Sequence, residues 1–185
     1  MKYFAVLAFI AVLAACSQPA PKLDVFGDIP HFELTSQDGR PFDSGALSGK
    51  IWVADFIYTT CPGPCPRMTS QMREVQDAVV KIPDVRIVSF TVDPKNDTPP
   101  VLTAYAKTHG AASDIWYFLT GPVPTLQMLD RDAFKLGNVD GTLQHSTRFV
   151  LVDRQGQIRG YYDTSEPESI RHVISDVYAL ASART

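Results

Sequence analysis

Two cysteines, Cys61 and Cys65, are the residues of this chain whose types and spacing point most directly to chemistry. They stand in the stretch CPGPCP, with three residues between them and a proline after each. Proline steers the residue before it away from helical angles, so the loop should be stiff and should hold both sulfurs in a fixed place. Such a pair can form a structural disulfide, a redox couple or two ligands of one metal ion.

A purely structural disulfide is the weakest of these three hypotheses, because a bridge across so small a loop constrains the unfolded chain little. Cys65 precedes Pro66, a favourable first residue of a helix, and a helix N-terminus lowers the pKa of a cysteine. A thioredoxin-type oxidoreductase has two residues between its cysteines, whereas this chain has three. The wider spacing can still close a disulfide, and it also allows two sulfurs to chelate one ion, so both hypotheses stay open at this point.

The third cysteine of the chain, Cys16, ends an N-terminal stretch with the features of an export signal. Lys2 is followed by an apolar run, residues 3–15, which is short for a membrane span but suits a signal peptide. The run ends in LAAC, which resembles the bacterial lipobox. The resemblance implies cleavage before Cys16 and attachment of a lipid to its sulfur, whereas a plain signal peptide is the alternative.

The predicted organisation therefore has three parts. Residues 1–15 are a lipoprotein signal peptide, residues 16–27 are the lipidated cysteine and a flexible proline-containing tether, and residues 28–185 are the folded domain. We expect a lipoprotein of the bacterial cell envelope, anchored in a membrane, with its domain facing the periplasm or the outer side. Only Cys61 and Cys65 then remain for the chemistry of the domain.

Composition excludes several other classes of protein. The chain has 185 residues, of which 45% are hydrophobic and 20% charged, as is usual for a soluble globular domain. Its net charge is −3 and it has no run of Lys or Arg, which argues against a nucleic-acid partner. A glycine-rich phosphate-binding loop is also missing from the sequence.

The elements that must position the cysteine loop alternate between strands and helices. The apolar run 51–58 ends at the loop and predicts a buried strand. Met68, Met72, Val75 and Val79 recur at the spacing of one helix face. Further strands are predicted at 85–92, 116–120 and 148–152, a hairpin turn at Gly156, and helices at 99–110, 124–135 and 166–183. This order predicts an α/β protein with a thioredoxin-like fold, in which helices flank a central mixed sheet.

The predicted topology brings His145 towards the cysteines. The strand 148–152 should run antiparallel to the strand 51–58, so it begins at the edge where the earlier strand ends. Asp93 and Asp97 follow the strand 85–92 and should reach the same edge. The other three histidines, His31, His109 and His172, are expected to be structural or exposed.

Three motifs at this spacing resemble the Sco/SenC proteins: YTTCPGPCP, then VDPKNDTP, then HSTRFVLVDRQG. These are membrane-tethered copper proteins of thioredoxin fold that help to assemble the copper centre of cytochrome c oxidase. The resemblance implies that Cys61, Cys65 and His145 are copper ligands. It also places Asp93 and Asp97 in the acidic DPxxD element of the family.

The donor types agree with copper. Two thiolates and one imidazole suit Cu(I), which accepts three ligands, whereas zinc prefers a fourth; Cu(II) is also considered. Asp93 and Asp97 either orient His145 from outside the ligand set or form the turn around Pro94 and Pro99, and both roles stay open. Met68 and Met72 could supply thioether ligands, but their helical spacing favours the core.

Three functions are consistent with these residues. The leading hypothesis is a copper carrier for the copper-bearing subunit of cytochrome c oxidase, acting alone or with another copper chaperone. The alternative is a thiol–disulfide oxidoreductase that reduces the cysteine pair of that subunit or of another exported cuproprotein, itself re-reduced by a thioredoxin-like partner. A peroxidase is least favoured, because Tyr58 occupies the position three before Cys61 where peroxiredoxins have Thr.

Overall fold

The chain has an α/β fold built on one sheet. The computed structural model describes residues 23–137 and 146–183. The strands are β1 (Gly27–Asp28), β2 (Glu33–Ser36), β3 (Pro41–Asp43), β4 (Ile51–Ile57), β5 (Val85–Thr91), β6 (Trp116–Thr120), β7 (Arg148–Val152) and β8 (Gln157–Asp163). The helices are α1 (Cys65–Val79), α2 (Pro99–Thr108), α3 (Val123–Gln127) and α4 (Ser169–Ser182). A 3₁₀ turn (Ser44–Leu47) follows β3, and a π-helical segment (Met128–Ala133) continues α3.

Within the described ranges the strands form one mixed sheet in the order β1-β8-β7-β4-β5-β6-β2-β3. The three central strands β4, β5 and β6 are parallel, and β7 pairs antiparallel with β4, where Val53 faces Leu151. This pairing confirms the predicted register in which β7 begins at the edge where β4 ends. The central strands are almost wholly buried, as their apolar sequences predict.

Helices and loops cover both faces of this sheet. One face packs against α1, α2 and α4, and the other packs against α3, the π-helical segment and the 3₁₀ turn. Side chains of β4 alternate between the two cores, with Val53 and Ile57 on the α1 side and Trp52 and Phe56 on the other side. By the same alternation Asp55 points to the α1 side, which is also the side of the cysteines.

Two predicted helices differ from the observed ones. The predicted helix 124–135 is α-helical only to Gln127 and then widens into the π-helical segment. The predicted helix 166–183 begins at Ser169, three residues later than expected. Pro167 explains the late start, because it disfavours helical angles at Glu166.

The folded part of the chain also begins earlier than the predicted boundary at residue 28. The Phe26 N–H donates to the Ile158 carbonyl at 2.9 Å, and Arg159 Nε donates to the Asp24 carbonyl at 3.0 Å. Leu23 packs against the core on the α1 side. Residues 23–27, which we assigned to the tether, thus lie against β8, whereas Cys16 and residues 1–15 lie outside the described residues.

None of the helices within residues 23–137 and 146–183 is long and apolar enough to cross a membrane.

Candidate metal centre

The cysteine loop connects the end of β4 to the start of α1. The helix begins at Cys65 itself, one residue before the predicted start, with Pro66 in its first turn. The two cysteines are not joined by a disulfide, and both are buried: Cys61 is 8% exposed and Cys65 is 1% exposed. The two sulfurs therefore meet at a helix N-terminus, where the partial positive charge favours a thiolate.

Hydrogen bonds converge on the sulfur of Cys61. Burial alone would raise the pKa of Cys61, but hydrogen bonds from the Cys65 thiol, from the backbone N–H groups of Cys65 and Gly63 and from the Tyr58 hydroxyl outweigh burial and lower it. The two cysteine side chains are therefore hydrogen-bonded neighbours within the loop.

Cys65 has the opposite character. Burial raises the pKa of Cys65 well above its ordinary value, and its hydrogen bond to the Cys61 sulfur raises it further. The two sulfurs therefore differ: that of Cys61 is the less buried and loses its proton more easily, and that of Cys65 is deeper and holds its proton more firmly. Of the two, Cys61 more readily forms the thiolate, which is the reactive form of cysteine.

Asp97 fixes the entrance of the loop. Its carboxylate is completely buried and accepts hydrogen bonds from the Thr59 N–H at 3.2 Å, the Thr59 hydroxyl at 2.5 Å and the Thr91 hydroxyl at 2.5 Å. Thr59 lies two residues before Cys61, and Thr91 is the last residue of β5. The carboxylate therefore ties the ends of two neighbouring strands together directly below the cysteine loop.

Asp93 shapes the turn that carries Asp97. Its carboxylate accepts from the Asn96 side chain at 2.8 Å, and its carbonyl accepts from the Asp97 N–H at 2.9 Å. Its negative charge also lies near Tyr58, where it adds to the raised pKa of that hydroxyl after the Cys61 hydrogen bond and burial. Within the described residues both aspartates thus act on the turn and the loop, and a bond from either of them to His145 stays a prediction.

Asp55 is a site residue that the sequence analysis missed. It is fully buried on the α1 side of β4, and only one of its two carboxylate oxygens has a partner, the Ser89 hydroxyl at 2.6 Å. Burial raises its pKa to about 7. Its charge also contributes to the raised pKa of Cys65, so it lies within electrostatic range of the deeper sulfur. The available signal was the single acidic residue within the apolar run IWVADFIY.

A small polar layer continues from Asp55 behind the cysteines. Trp116 Nε1 donates to the Ser89 hydroxyl at 3.0 Å, and the Tyr105 hydroxyl lies 2.7 Å from the Thr69 hydroxyl. Burial raises the pKa of Tyr105 to about 12, with further contributions from Asp55 and both cysteines. Buried polar groups of this kind mark the α1 side of the sheet as more than a structural core.

The structure shows where most of the predicted site residues lie. It brings Cys61 and Cys65 together and places Asp97 beneath their loop, whereas His145 lies outside the described residues. His109 packs on Tyr105, with ring centroids 4.3 Å apart, and His172 is exposed on α4. Met68 and Met72 are completely buried in the core against the sheet, as their spacing predicts.

Comparison with solved structures identifies the fold. An SCO1/SenC family lipoprotein from Bacillus anthracis is 34% identical, with a TM-score of 0.77 over 84% of this chain and 96% of that protein. BsSco, a member of the Sco family of cytochrome c oxidase assembly proteins in which a disulfide switch was identified, is 32% identical, with a TM-score of 0.77 over 88% of this chain and 99% of that one.

A more distant structure shares the fold alone. Bradyrhizobium japonicum ScoI, solved with copper bound, is 23% identical and has a TM-score of 0.68 over 83% of this chain and 99% of that chain. At the sequence level, the model of the SCO1/SenC family matches residues 26–182, which span the whole described fold apart from a few residues at each end. The chain therefore belongs to the Sco/SenC family.

Proposed function

We propose that the chain is a copper carrier for the assembly of cytochrome c oxidase, with Cys61, Cys65 and His145 as its copper ligands. The observation that carries the proposal is the convergence of two buried thiols at the start of α1. Strand β7 begins at the edge of the sheet where β4 ends, and its first residue, Arg148, is three residues after His145 in the sequence. Membership of the Sco/SenC family supports copper as the ion and the oxidase as the client.

The donor set fits Cu(I). Thiolates are soft ligands that select Cu(I) over harder ions, and an imidazole completes a three-coordinate site. Cys61 is ready to bind because its hydrogen bonds already favour the thiolate. Cys65 must release its proton when the ion binds, so copper uptake should release protons to the solvent. The ion would then pass to the copper-bearing subunit of the oxidase by exchange of ligands.

The second candidate function is a thiol–disulfide oxidoreductase that reduces the cysteine pair of the same subunit or of another exported cuproprotein. The opposite pKa shifts of Cys61 and Cys65 favour it, because exchange needs one attacking thiolate and one retained thiol. The disulfide switch of BsSco, at 32% identity, also supports it. A disulfide removes both thiolate ligands, so the two functions would exclude each other at any one moment.

The proposed location is the bacterial cell envelope, with the protein anchored through lipid on Cys16. The B. anthracis relative is a lipoprotein of the same family, which supports this proposal. The described fold begins at Leu23, so residues 17–22 would separate the domain from the membrane surface.

The decisive experiment measures Cu(I) affinity of the reduced full-length chain in detergent by competition with a chromophoric Cu(I) chelator. Cys61→Ser and His145→Ala should each weaken binding by roughly tenfold or more, and His172→Ala, at an exposed histidine, should leave it unchanged. A His145→Ala chain that binds Cu(I) as tightly as the parent, or a parent that binds only weakly, would transfer the assignment to the oxidoreductase.

A further inference from the structure

A second group of metal-binding side chains lies far from the cysteine loop in the order of the sheet. His31, Glu33 and Asp43 stand on and beside β2 and β3, which are separated from β4 by β5 and β6. All three are exposed, and each offers one ligand atom within 4.8 Å of the other two. No other cluster of three or more such residues occurs in the described parts of the chain.

The two acidic residues oppose each other in an unfavourable way. Glu33 pairs directly with Asp43 in the antiparallel register of β2 and β3, so both carboxylates lie on the solvent face of the same pair. Like charges at directly opposite positions destabilise a strand pair. A bound cation would attract both carboxylates and offset their repulsion. Cation binding would therefore be a physical reason for the two carboxylates to face each other.

One member of the group is already held in place. Asp43 Oδ1 accepts hydrogen bonds from the Gly45 N–H at 2.6 Å and from His31 Nε2 at 3.0 Å. The Gly45 bond, followed by the His31 bond, holds the pKa of Asp43 below its ordinary value. A carboxylate has a second oxygen, so Asp43 can keep its bond to Gly45 and still bind an ion.

The distances suit a first-row metal ion. Bonds of imidazole nitrogen and carboxylate oxygen to such ions are about 2.0 to 2.2 Å, so two ligands of one ion are at most about 4.4 Å apart. The ligand atoms of the three side chains lie within 4.8 Å of one another, so a movement of about 0.4 Å brings them within that distance. His31, whose side chain is 61% exposed, and the exposed Glu33 have room to make the adjustment while Asp43 keeps its bond to Gly45.

We propose that His31, Glu33 and Asp43 form a second metal site, for a divalent first-row ion and foremost Cu(II). One imidazole nitrogen and two carboxylate oxygens are harder donors than the thiolates of the cysteine loop, and they do not favour Cu(I). Among divalent ions such N and O donors bind Cu(II) more tightly than Zn(II).

Binding at this site requires one proton transfer and no redox step. The hydrogen that His31 Nε2 shares with Asp43 must leave before that nitrogen can bind an ion. For a neutral ring this is a change of tautomer: the Nε2 proton passes to the solvent, the solvent returns one to Nδ1, and no net proton is released. This site is independent of the proposed copper ligands of the cysteine loop, and the failure of either proposal leaves the other intact.

The test uses the full-length chain in detergent with the substitutions Cys61→Ser, Cys65→Ser and His145→Ala as the background. These substitutions remove the proposed copper ligands of the cysteine loop, so that binding at the second site is measured by itself. Calorimetric titration with Cu(II) and, separately, with Zn(II) should show that this variant binds one equivalent of each ion. The affinity for Cu(II) should be the higher of the two. Adding His31→Ala should weaken both by roughly tenfold or more, and Glu33→Gln should weaken them too. His172→Ala is the matched control, because it removes another exposed histidine, and it should change neither affinity.

Thermal unfolding gives a second measurement that does not depend on heats of binding. Cu(II) should raise the Tm of the background, since an ion that binds only the folded state stabilises it. The rise should vanish in His31→Ala, and Glu33→Gln without metal should unfold at or above the Tm of the background because a like-charge contact is removed. Equal Cu(II) affinity with and without His31→Ala, or a background that Cu(II) neither binds nor stabilises, would overturn the proposal.

Discussion

The carboxylate of Asp97 binds both the N–H and the hydroxyl of Thr59, two residues before the first cysteine of the loop. A buried carboxylate with such partners fixes the loop through charge-assisted hydrogen bonds, which are stronger than neutral ones. Because the same carboxylate also binds Thr91, it couples the position of the cysteines to the end of β5. The DPxxD element thus acts on the cysteines through the backbone of the loop.

Asp97→Asn should therefore lower both stability and Cu(I) affinity. The substituted amide presents an N–H₂ group to at least one of the hydroxyl and N–H donors, and the loss should be about 2 to 4 kcal/mol in the free energy of unfolding. Urea unfolding and Cu(I) competition measure the two effects. Asp93→Asn is the control, since its carboxylate has one described side-chain partner, Asn96, and should cost about 1 kcal/mol. Equal losses for the two variants would contradict a special role of Asp97.

Tyr58→Phe should make Cys61 less reactive at neutral pH. The hydroxyl of Tyr58 is one of the groups that lower the pKa of Cys61, so its removal should move the pH midpoint of Cys61 alkylation upwards. Mass spectrometry of the peptide that contains Cys61 measures the rate at each pH. Tyr117→Phe, which removes a hydroxyl 3.5 Å from the Asp114 carbonyl, should leave the midpoint unchanged. An unchanged midpoint in Tyr58→Phe would show that the Cys65 thiol and the backbone N–H groups lower the pKa of Cys61 without the Tyr58 hydroxyl.

Asp55 should make the folded protein less stable as the pH rises. Burial raises its pKa from 3.8 to about 7, so between these values the unfolded chain has lost a proton that the folded chain keeps. The free energy of unfolding should therefore fall across this interval, by at most about 4 kcal/mol in total. Asp130, whose pKa burial raises to about 6, acts in the same direction.

Asp55→Asn should flatten this pH dependence, and urea unfolding at intervals between pH 4 and pH 8 measures it. Asp55→Asn together with Asp130→Asn should flatten it further. Asp114→Asn, at an exposed position, is the control and should keep the slope of the parent. A parent whose stability rises steadily from pH 4 to pH 7 would contradict the burial of these protonated carboxyls.

Met72 should matter for packing and not for copper. Its side chain is completely buried against the sheet, so Met72→Ala should cost about 2 to 5 kcal/mol and leave a cavity, whereas Met72→Leu keeps the volume and should cost less than about 1.5 kcal/mol. Cu(I) affinity should be the same in the parent and in Met72→Leu. A lower affinity in Met72→Leu, with its stability retained, would make the thioether a ligand.

Sequence patterns predicted the parts of this fold that depend on burial and periodicity. The apolar runs of β4 and β5 and the spacing of Met68 and Met72 correspond directly to what is buried. The π-helical segment was not predictable, because the spacing of Leu126 and Leu129 also fits one face of an ordinary α-helix and does not indicate the wider turn. The packing of residues 23–27 on β8 was also missed, since this short segment gains its contacts only once the distant strand is in place.

The site was predictable to a similar degree. Cys61 and Cys65 could be paired from spacing alone, because a strand and a helix must meet at their loop. Asp55 and Tyr58 act through contacts that cross the sheet or fold back on the loop, and no local pattern encodes such contacts. The burial of one acidic residue in an apolar strand was the remaining clue, and a charge in a strand that is buried on both faces needs a partner or a raised pKa.

Trapping of mixed disulfides distinguishes the two candidate functions. In an exchange reaction the Cys61 thiolate attacks a partner's disulfide and forms a mixed disulfide while one partner thiolate leaves; the Cys65 thiol, once deprotonated, then attacks Cys61 and releases the reduced partner. Cys65→Ser should therefore accumulate the mixed disulfide with a disulfide-bonded peptide from an oxidase copper-binding segment. Cys61→Ser should not accumulate it, since Cys65 is 1% exposed and its pKa is raised.

Non-reducing electrophoresis of the two variants, each in a background with His145→Ala, separates exchange from metal transfer. If the oxidoreductase function holds, trapping through Cys61 persists without His145, because exchange needs only the two sulfurs. If neither variant forms a mixed disulfide while the parent binds Cu(I) tightly, the cysteine pair acts as a pair of ligands and its oxidation serves only to release the ion. Trapping through Cys65 and not Cys61 would contradict the pKa order of the pair, and with it the assignment of Cys61 as the nucleophile.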